Sequence, residues 1–193
     1  MTDSQMFHAK AQWSMPSRHG IRRAAVSILT LTWSLLALPL GAQTWTQLAP
    51  GGTPPEARAW ASAILDASTG KMITFDGTFE GTNFNDVWSL STSASPQWTQ
   101  VSPGGAVPPA RLGQSGVYDP ANSRIIMFGG GTGANLAPCV NDVWVLSNAN
   151  SVNGTPTWAQ LNTTGGPPAP RIFHTAVYSP ATNTMTVSRV RAP

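Results

Sequence analysis

Three arginines recur at matching places in the sequence, each directly after a proline-rich stretch. They are Arg58, Arg111 and Arg171, and the aspartates Asp86 and Asp142 follow the first two at similar distances. A guanidinium group is a rigid fork of donors suited to oxygen acceptors. The arginines could therefore contact an anionic or polyhydroxyl ligand, or each could pair with an aspartate of its own segment. Recurrence in every segment favours the second, structural role.

The residues that differ between the segments lie in two long connections. Phe79, Glu80 and Asn83 belong to one of them, and Asn135 belongs to the other. Aromatic side chains beside Asn and Glu would suit contacts with a carbohydrate or a peptide. Because loops carry function more often than the elements they join, we predict that these residues bind the ligand, with ordinary loop packing as the alternative.

Few residues suit catalysis or metal binding. Beyond the first 42 residues there is one histidine, His174, and one cysteine, Cys139. No phosphate-binding loop, paired metal-ligand spacing or hydrolase elbow occurs. His174 stands where the other segments have Ala61 and Gln114, so we expect a packed or hydrogen-bonded side chain. The sequence predicts no catalytic residue, no metal and no cofactor.

These residues sit in a repeated segment that must position them. Arg58 and Arg111 are 53 residues apart, Phe75 and Phe128 are also 53 apart, and Trp98 and Trp158 are 60 apart. The apolar runs keep their length while the connections absorb the insertions. A period near 50 with four short strand-like runs per copy is typical of a propeller blade.

The repeated segment resembles the Kelch repeat. The first two copies each have a Pro-Pro pair shortly before the arginine, an apolar run that ends in Phe-Gly-Gly in the second copy, Asn-Asp-Val-Trp-x-Leu, and a final Trp. The resemblance implies an all-β fold, a partial β-propeller of four-stranded antiparallel blades, used mainly as a binding scaffold. Its structural repeat positions are Asp86, Trp88, Trp98, Gly129, Gly130, Asp142, Trp144 and Trp158.

The copies define a predicted domain over residues 43–187. Blade 1 covers about 58–101, blade 2 about 111–161, and a partial blade 3 starts at 171, with first strands predicted at 58–66 and 111–118. Strand alternation puts the connections from strand two to three and from strand four to the next strand one on the same side. We call this side the loop face, and we predict that the ligand binds there.

Some proteins that resemble this family are enzymes. Copper-radical oxidases need two tyrosines, two histidines and a cysteine cross-linked to a tyrosine, whereas residues 43–193 offer only Tyr118, Tyr178, His174 and Cys139. We therefore predict a non-catalytic module that binds a protein or a carbohydrate. The alternatives are the remnant of a propeller oxidase or carbohydrate epimerase whose catalytic blades are missing, and a truncated product without independent function.

Residues 1–42 differ in character from the rest. Arg22 and Arg23 precede an apolar run over 24–40 and then small residues, which is the pattern of a cleaved secretory signal helix. Met15 is a plausible true start, and an uncleaved anchor helix is the alternative. We expect a secreted, periplasmic or cell-surface protein that contacts membrane only through this segment.

The charge of the chain comes from this leader. Its four basic residues and one acidic residue give +3, while residues 43–193 hold seven basic and seven acidic residues. The basic character of the whole chain therefore does not indicate a nucleic-acid partner.

The two ends of the repeated region depart from the pattern. Residues 44–48 match a fourth strand with no strands before it, which suggests a ring closed between the two ends. Residues 188–193 form an aberrant tail, since Ser188 stands where Phe75 and Phe128 stand. We expect a frameshift or premature stop there, with a divergent cap as the alternative. Blade faces without a neighbour predict self-association.

Overall fold

The computed structural model describes residues 46–188, and every regular element in this range is a β-strand. The prediction of an all-β fold built from antiparallel Kelch-type blades is confirmed. The predicted signal helix, the possible start at Met15 and residues 189–193 lie outside the described residues. Within residues 46–188, no helix has the length and hydropathy needed to cross a bilayer.

Blade 1 is a four-stranded antiparallel sheet whose second connection carries a short hairpin. Its elements are β1 (Ser62–Asp66), β2 (Lys71–Phe75), β3 (Thr78–Phe79), β4 (Thr82–Asn83), β5 (Val87–Ser91) and β6 (Trp98–Val101). The sheet has the order β1-β2-β5-β6, and β3 and β4 form the hairpin in the connection between β2 and β5. Each strand therefore pairs with the next long strand along the chain.

Blade 2 repeats this order with one added strand, and blade 3 contributes two strands. The elements are β7 (Gly104–Gly105), β8 (Ser115–Asp119), β9 (Arg124–Gly131), β10 (Cys139–Ser147), β11 (Thr157–Leu161), β12 (Ala176–Ser179) and β13 (Thr184–Val187). The order is β7-β11-β10-β9-β8, with β7 parallel to β11, while β12 and β13 form a separate antiparallel pair.

The hydrophobic core lies between blades 1 and 2. Ile73 and Phe75 of β2 share one buried cluster with Met127, Trp144 and Trp158 of blade 2. The rings of Phe75 and Trp158 meet edge to face with centroids 6.3 Å apart. The apolar second strands, together with Trp144 and Trp158, thus serve inter-blade packing.

The first strands start later than the sequence predicts. β1 begins at Ser62 and β8 at Ser115, four residues after Arg58 and Arg111. The residue two positions after each arginine accounts for the delay, since its left-handed backbone interrupts the extended conformation before the strand: φ is 56° at Trp60, 63° at Gly113 and 55° at Phe173.

Residues 46–48, the described part of the segment predicted as a stray fourth strand, form no strand and are exposed. The following Gly51 makes one isolated parallel bridge with Gln97 of blade 1. The outward faces of blades 1 and 3 are open, with Leu65 57% and Val177 66% exposed.

Candidate functional site

The arginine that opens blade 1 forms a bidentate pair with the aspartate before the third strand. Nη1 and Nη2 of Arg58 donate to the two carboxylate oxygens of Asp86, at 2.5 and 2.9 Å. The indole N–H of Trp88 donates to the same carboxylate at 2.7 Å. The guanidinium also lies over the ring of Phe84, 4.3 Å from its centroid. These contacts hold the start of the first strand against the start of the third.

Blade 2 repeats this unit with a fully buried arginine. Nη1 and Nη2 of Arg111 donate to Asp142 at 2.7 and 2.9 Å, and the indole N–H of Trp144 donates to the same carboxylate at 2.6 Å. Burial raises the pKa of the Asp142 carboxyl, but the hydrogen bonds from Arg111 and Trp144 outweigh it and lower the pKa overall. Both pairs are satisfied inside their own blades, so ligand binding by Arg58 and Arg111 stays a prediction.

Arg171 has a different environment. Its Nε donates to the carbonyl of Ala169 at 3.0 Å, and its Nη1 donates to the carbonyl of Ser188 at 2.8 Å. Among residues 46–188 no carboxylate pairs with this half-buried guanidinium group. The edge of the guanidinium group that binds aspartate in Arg58 and Arg111 therefore has no aspartate partner in Arg171 among residues 46–188.

Two large aromatic side chains meet on the loop face. The rings of Trp60 and Phe173 lie edge to face with centroids 5.2 Å apart, and the two residues are 52% and 42% exposed. Gly113 lies between them in the backbone, because its N–H donates to the carbonyl of Trp60 at 3.1 Å and its carbonyl accepts from the N–H of Phe173 at 2.7 Å. A Cβ at Gly113 would lie 2.9 Å from the Phe173 ring, so glycine is required for this arrangement.

A cleft of about 520 Å³ opens beside this aromatic pair. Trp60, Thr78, Phe79 and Glu80 line it, and Ala134 closes the side formed by blade 2. Phe79 is 39% exposed. The cleft thus combines exposed aromatic surface with one carboxylate, a composition suited to binding an extended chain with apolar and basic groups.

The structure brings together three of the four loop residues that the sequence singled out. Phe79 and Glu80 line the cleft. Asn83 links the two long loops, since its Nδ2 donates to the carbonyl of Gly133 at 3.4 Å. Asn135 is exposed in the neighbouring loop and does not line the cleft, although Ala134 does.

The connections predicted to share the loop face do contact each other. Nδ2 of Asn85, before the third strand of blade 1, donates to the carbonyl of Pro108 at 3.3 Å. Nδ2 of Asn141 donates in the same way to Pro168 at 3.1 Å. The same face therefore carries the cleft, the aromatic pair and all three arginines.

Sequence reasoning missed Trp60 and Phe173. Both stand at the position that Gly113 occupies in the second copy, and both adopt its left-handed backbone. The signal available was this mismatch: two bulky aromatic residues stand at the position where the second copy has a glycine. It becomes informative only when the backbone geometry is known.

Two further buried polar groups lie near the loop face. Asp76 has φ 59° and is fully buried, and neither carboxylate oxygen has a hydrogen-bond partner. Burial raises the pKa of Asp76 well above its ordinary value. His174 is buried with its Nε2 2.7 Å from the Ser115 hydroxyl, in keeping with the predicted packed role. In residues 46–188 no three His, Cys, Asp or Glu side chains cluster as metal ligands would.

Comparison with known proteins gives a family match over most of the chain. The model of the KLHDC2/KLHL20/DRC7 Kelch-repeats domain matches residues 27–187. The flagellar outer-arm dynein alpha chain of Chlamydomonas reinhardtii is 29% identical over 140 residues, which is 72% of this chain. Putative adagio-like protein 2 of Oryza sativa subsp. japonica is 36% identical over 80 residues, which is 41% of this chain. The matched regions span 3% and 11% of those two relatives.

Two solved structures resemble the chain in fold. YjhT is 16% identical with a TM-score of 0.49, and the match covers 69% of this chain and 34% of YjhT. A fungal alcohol oxidase of the AA5 family, in complex with copper, is 15% identical with a TM-score of 0.45, and the match covers 57% of this chain and 23% of the oxidase.

Proposed function

Because the chain belongs to the Kelch-repeat family, we propose that it is a protein-interaction module whose partner binds the cleft beside Trp60 on the loop face. The single observation that carries this proposal is the half-exposed aromatic pair of Trp60 and Phe173. Partly exposed aromatic side chains on a rigid backbone are typical anchors of protein interfaces.

The backbone of the aromatic pair supports a role beyond folding. A bulky residue with φ near +55° costs on the order of 1–2 kcal/mol, and here two such residues stand side by side. Glycine avoids that cost at the equivalent position of blade 2. Since both rings stay half exposed, burial offsets only part of the strain, and a ligand that covers them would benefit from the pre-formed arrangement.

The charge of the cleft indicates the kind of partner. The guanidinium of Arg58, which also lines the cleft, is paired with Asp86. Within the described residues, no ion pair engages Glu80. We therefore propose an extended peptide segment with an apolar or aromatic anchor for the cleft and a Lys or Arg for Glu80. A carbohydrate, which would stack on the same rings without needing the carboxylate, is the other ligand class that the sequence leaves open.

Peptide-library selection tests this function. Peptides selected on the full chain should lose at least tenfold in affinity with Trp60→Ala or Phe173→Ala, measured by fluorescence anisotropy. Val152→Ala is the matched control, because Val152 is also an exposed apolar residue but follows β10, at the opposite end of blade 2 from the loop face. Peptides whose binding ignores both aromatic substitutions, or binding confined to oligosaccharides, would contradict the proposal.

We propose that the module is non-catalytic. The one histidine of residues 46–188 is buried, and its Nε2 bonds to Ser115. Burial, followed by the nearby charge of Arg171, lowers the pKa of His174, so its imidazole stays neutral near pH 7. A neutral, enclosed imidazole suits packing better than proton exchange with a bound substrate.

Export and self-association are further proposals. The secretory pattern of residues 1–42 supports export, and a reporter fusion that stays inside the cell would contradict it. The open faces at Leu65 and Val177 support head-to-tail association, because the equivalent surfaces of blades 1 and 2 pack on each other. Sedimentation equilibrium should show a mass that rises with protein concentration, and a constant monomer mass would exclude this mode.

A further inference from the structure

We infer that His174 is a positioning residue for the aromatic pair of the loop face. Its neutral imidazole holds Phe173 beside Trp60, and its protonation in mild acid releases Phe173 and weakens ligand binding. This inference deepens the function proposed above and rests on it, because it concerns the regulation of the same site.

Two contacts with blade 2 hold Phe173 and the residue after it. The N–H of Phe173 donates to the carbonyl of Gly113 at 2.7 Å. His174 is only 5% exposed, and its Nε2 lies 2.7 Å from the hydroxyl of Ser115. The left-handed φ of 55° at Phe173 costs on the order of 1–2 kcal/mol, so it persists only while such contacts fix the segment. The side chain of His174 is therefore an anchor for a strained residue that belongs to the proposed site.

The surroundings of the imidazole suit a neutral ring. The ring meets Phe128 edge to face with centroids 5.3 Å apart, and a Cβ at Gly129 would lie 3.2 Å from Cε1 of His174. Nδ1 has no hydrogen-bond partner among the described residues. An imidazolium carries an N–H on both ring nitrogens. Protonation would therefore bury a charge and leave the Nδ1–H without an acceptor, which is costly.

No neighbouring charge stabilises a protonated His174. In the range 46–188 no ion pair engages its ring. Arg171, in the same segment, carries a positive charge that opposes protonation. The ionisable side chains of the strands packed around this segment have other partners: Tyr118 with Asn150, Asp119 with Arg124, Cys139 with Leu136, Asp142 with Arg111, and Tyr178 with Asn183.

The direction of the pH effect follows from the pKa of His174. Burial, followed by the charge of Arg171, lowers this pKa below the ordinary value of 6.5, and the backbone of Phe128 opposes the shift only weakly. Above pH 6.5 the ring is neutral whether it is docked or released, so the anchor keeps its full strength. As the pH falls below 6.5, the released ring takes up a proton first, and docking becomes less favourable. Ligand binding should therefore be strongest at neutral pH.

The second copy provides a matched variant that does not titrate. Gln114 stands at the position of His174, is also buried, and donates from its Nε2 to the carbonyl of Phe75 in the preceding blade at 3.4 Å. Phe128 holds the repeat position of Phe75, so a glutamine in blade 3 would have the same kind of acceptor. His174→Gln should therefore keep the segment docked and remove the proton.

Fluorine NMR of the full chain labelled with 5-fluorotryptophan tests the anchor without any ligand. The Trp60 resonance is assigned by its loss in Trp60→Phe. Between pH 7.5 and pH 5.5 it should move toward the position that it has in Phe173→Ala at pH 7.5. In His174→Gln it should not move with pH. If that variant does not fold, His174→Ala, which introduces the residue of blade 1 at this position, replaces it in the comparison.

A histidine-free peptide from the selection described above tests the effect on binding. Its affinity for the wild-type chain, measured by fluorescence anisotropy, should be weaker at pH 5.5 than at pH 7.5 by roughly threefold or more, since half a pKa unit corresponds to about threefold. Its affinity for His174→Gln should change much less. Every other titratable group is common to the two proteins, so the difference between them reports on His174.

The two measurements separate failure of this inference from failure of the proposed function. A Trp60 resonance that ignores pH, or that moves equally in His174→Gln, would overturn the inference even if the peptide binds. Peptide affinity that is independent of pH while the resonance moves would overturn the regulation of binding. A resonance that moves only in the wild-type chain, without binding of any selected peptide, would support the anchor and contradict the proposed function alone.

Discussion

Replacing Asp76 with glycine should stabilise the protein. Asp76 stands where the second copy has Gly129, and it keeps a glycine-like φ of 59°. Its carboxylate is completely buried, and neither oxygen has a hydrogen-bond partner. Arg58 donates only to the backbone carbonyl of Asp76, at 3.0 Å, which glycine retains. The substitution thus removes two unfavourable features and no side-chain hydrogen bond.

The expected gain is the sum of two contributions. Relief of the left-handed backbone at a non-glycine residue is worth about 1 kcal/mol. Removal of a buried polar group without a partner is worth about 1–3 kcal/mol. The free energy of unfolding at pH 7 should therefore rise by about 2–4 kcal/mol. For a chain of this size, each kcal/mol of added stability raises Tm by roughly 2–4 °C.

The gain should depend on pH. Burial raises the pKa of Asp76 in the folded protein well above the value of 3.8 for the unfolded chain. Below pH 3.8 both states are protonated, and the charge contributes nothing. As the pH rises above 3.8, the unfolded state releases the proton first, so the wild-type chain loses stability relative to the variant. The advantage of Asp76→Gly should therefore grow between about pH 4 and neutral pH.

Urea unfolding followed by tryptophan fluorescence at pH 4 and pH 7 measures both effects. Glu80→Gly is the matched control, because Glu80 is also an acidic residue with a left-handed backbone, φ 48°, but is exposed. It should gain no more than about 1 kcal/mol. Asp76→Asn isolates the charge. A gain for Asp76→Gly that equals the Glu80→Gly gain at both pH values would refute the burial argument.

Three further outcomes follow from single contacts. Arg111→Gln should destabilise the chain by about 3 kcal/mol or more in urea unfolding, because it leaves a partly buried aspartate without its partner. Gly113→Ala should cost about 1–3 kcal/mol and reduce the near-UV circular dichroism of the aromatic pair, since its Cβ would lie 2.9 Å from the Phe173 ring in a left-handed residue. Burial raises the pKa of the Asp66 carboxyl, but side-chain hydrogen bonds, that of Ser68 foremost, lower the pKa overall. The stability that the Asp66 carboxylate contributes should therefore be lost as the pH falls below 3.8. Asp66→Asn should not show that loss when Tm is measured across an acid titration.

The sequence predicted the blades because the same residue types recur in the same order in each copy, with insertions confined to the connections. Strand order and antiparallel pairing follow from four short apolar runs per period, and the recurrence of arginine and aspartate favoured a pair within each blade. The structure has that pair in Arg58–Asp86 and in Arg111–Asp142. Each such feature is local to one copy, so a single copy contains the information that specifies it.

The aromatic pair could not be predicted because it depends on three copies at once. The left-handed geometry at Trp60 and Phe173 is fixed by backbone bonds to Gly113, which is 53 residues from one and 60 from the other. The repeat pattern showed that Asp76 departs from Gly129, but its burial depends on how blade 2 packs against blade 1. Contacts between copies carry no periodic signal, so only the packed structure reveals them.

The distribution of left-handed residues separates the two ends of the blades. At the end opposite the loop face, the non-glycine residues with positive φ are Ser and Asn, which suit turns: Ser123, Asn148, Ser151 and Asn183. On the loop face they are Trp60, Asp76, Glu80, Leu136 and Phe173. Bulky side chains do not reduce the cost of this geometry, and glycine serves at the same position in blade 2. Backbone strain of this kind concentrates at functional sites, which supports the binding role that we propose for the loop face.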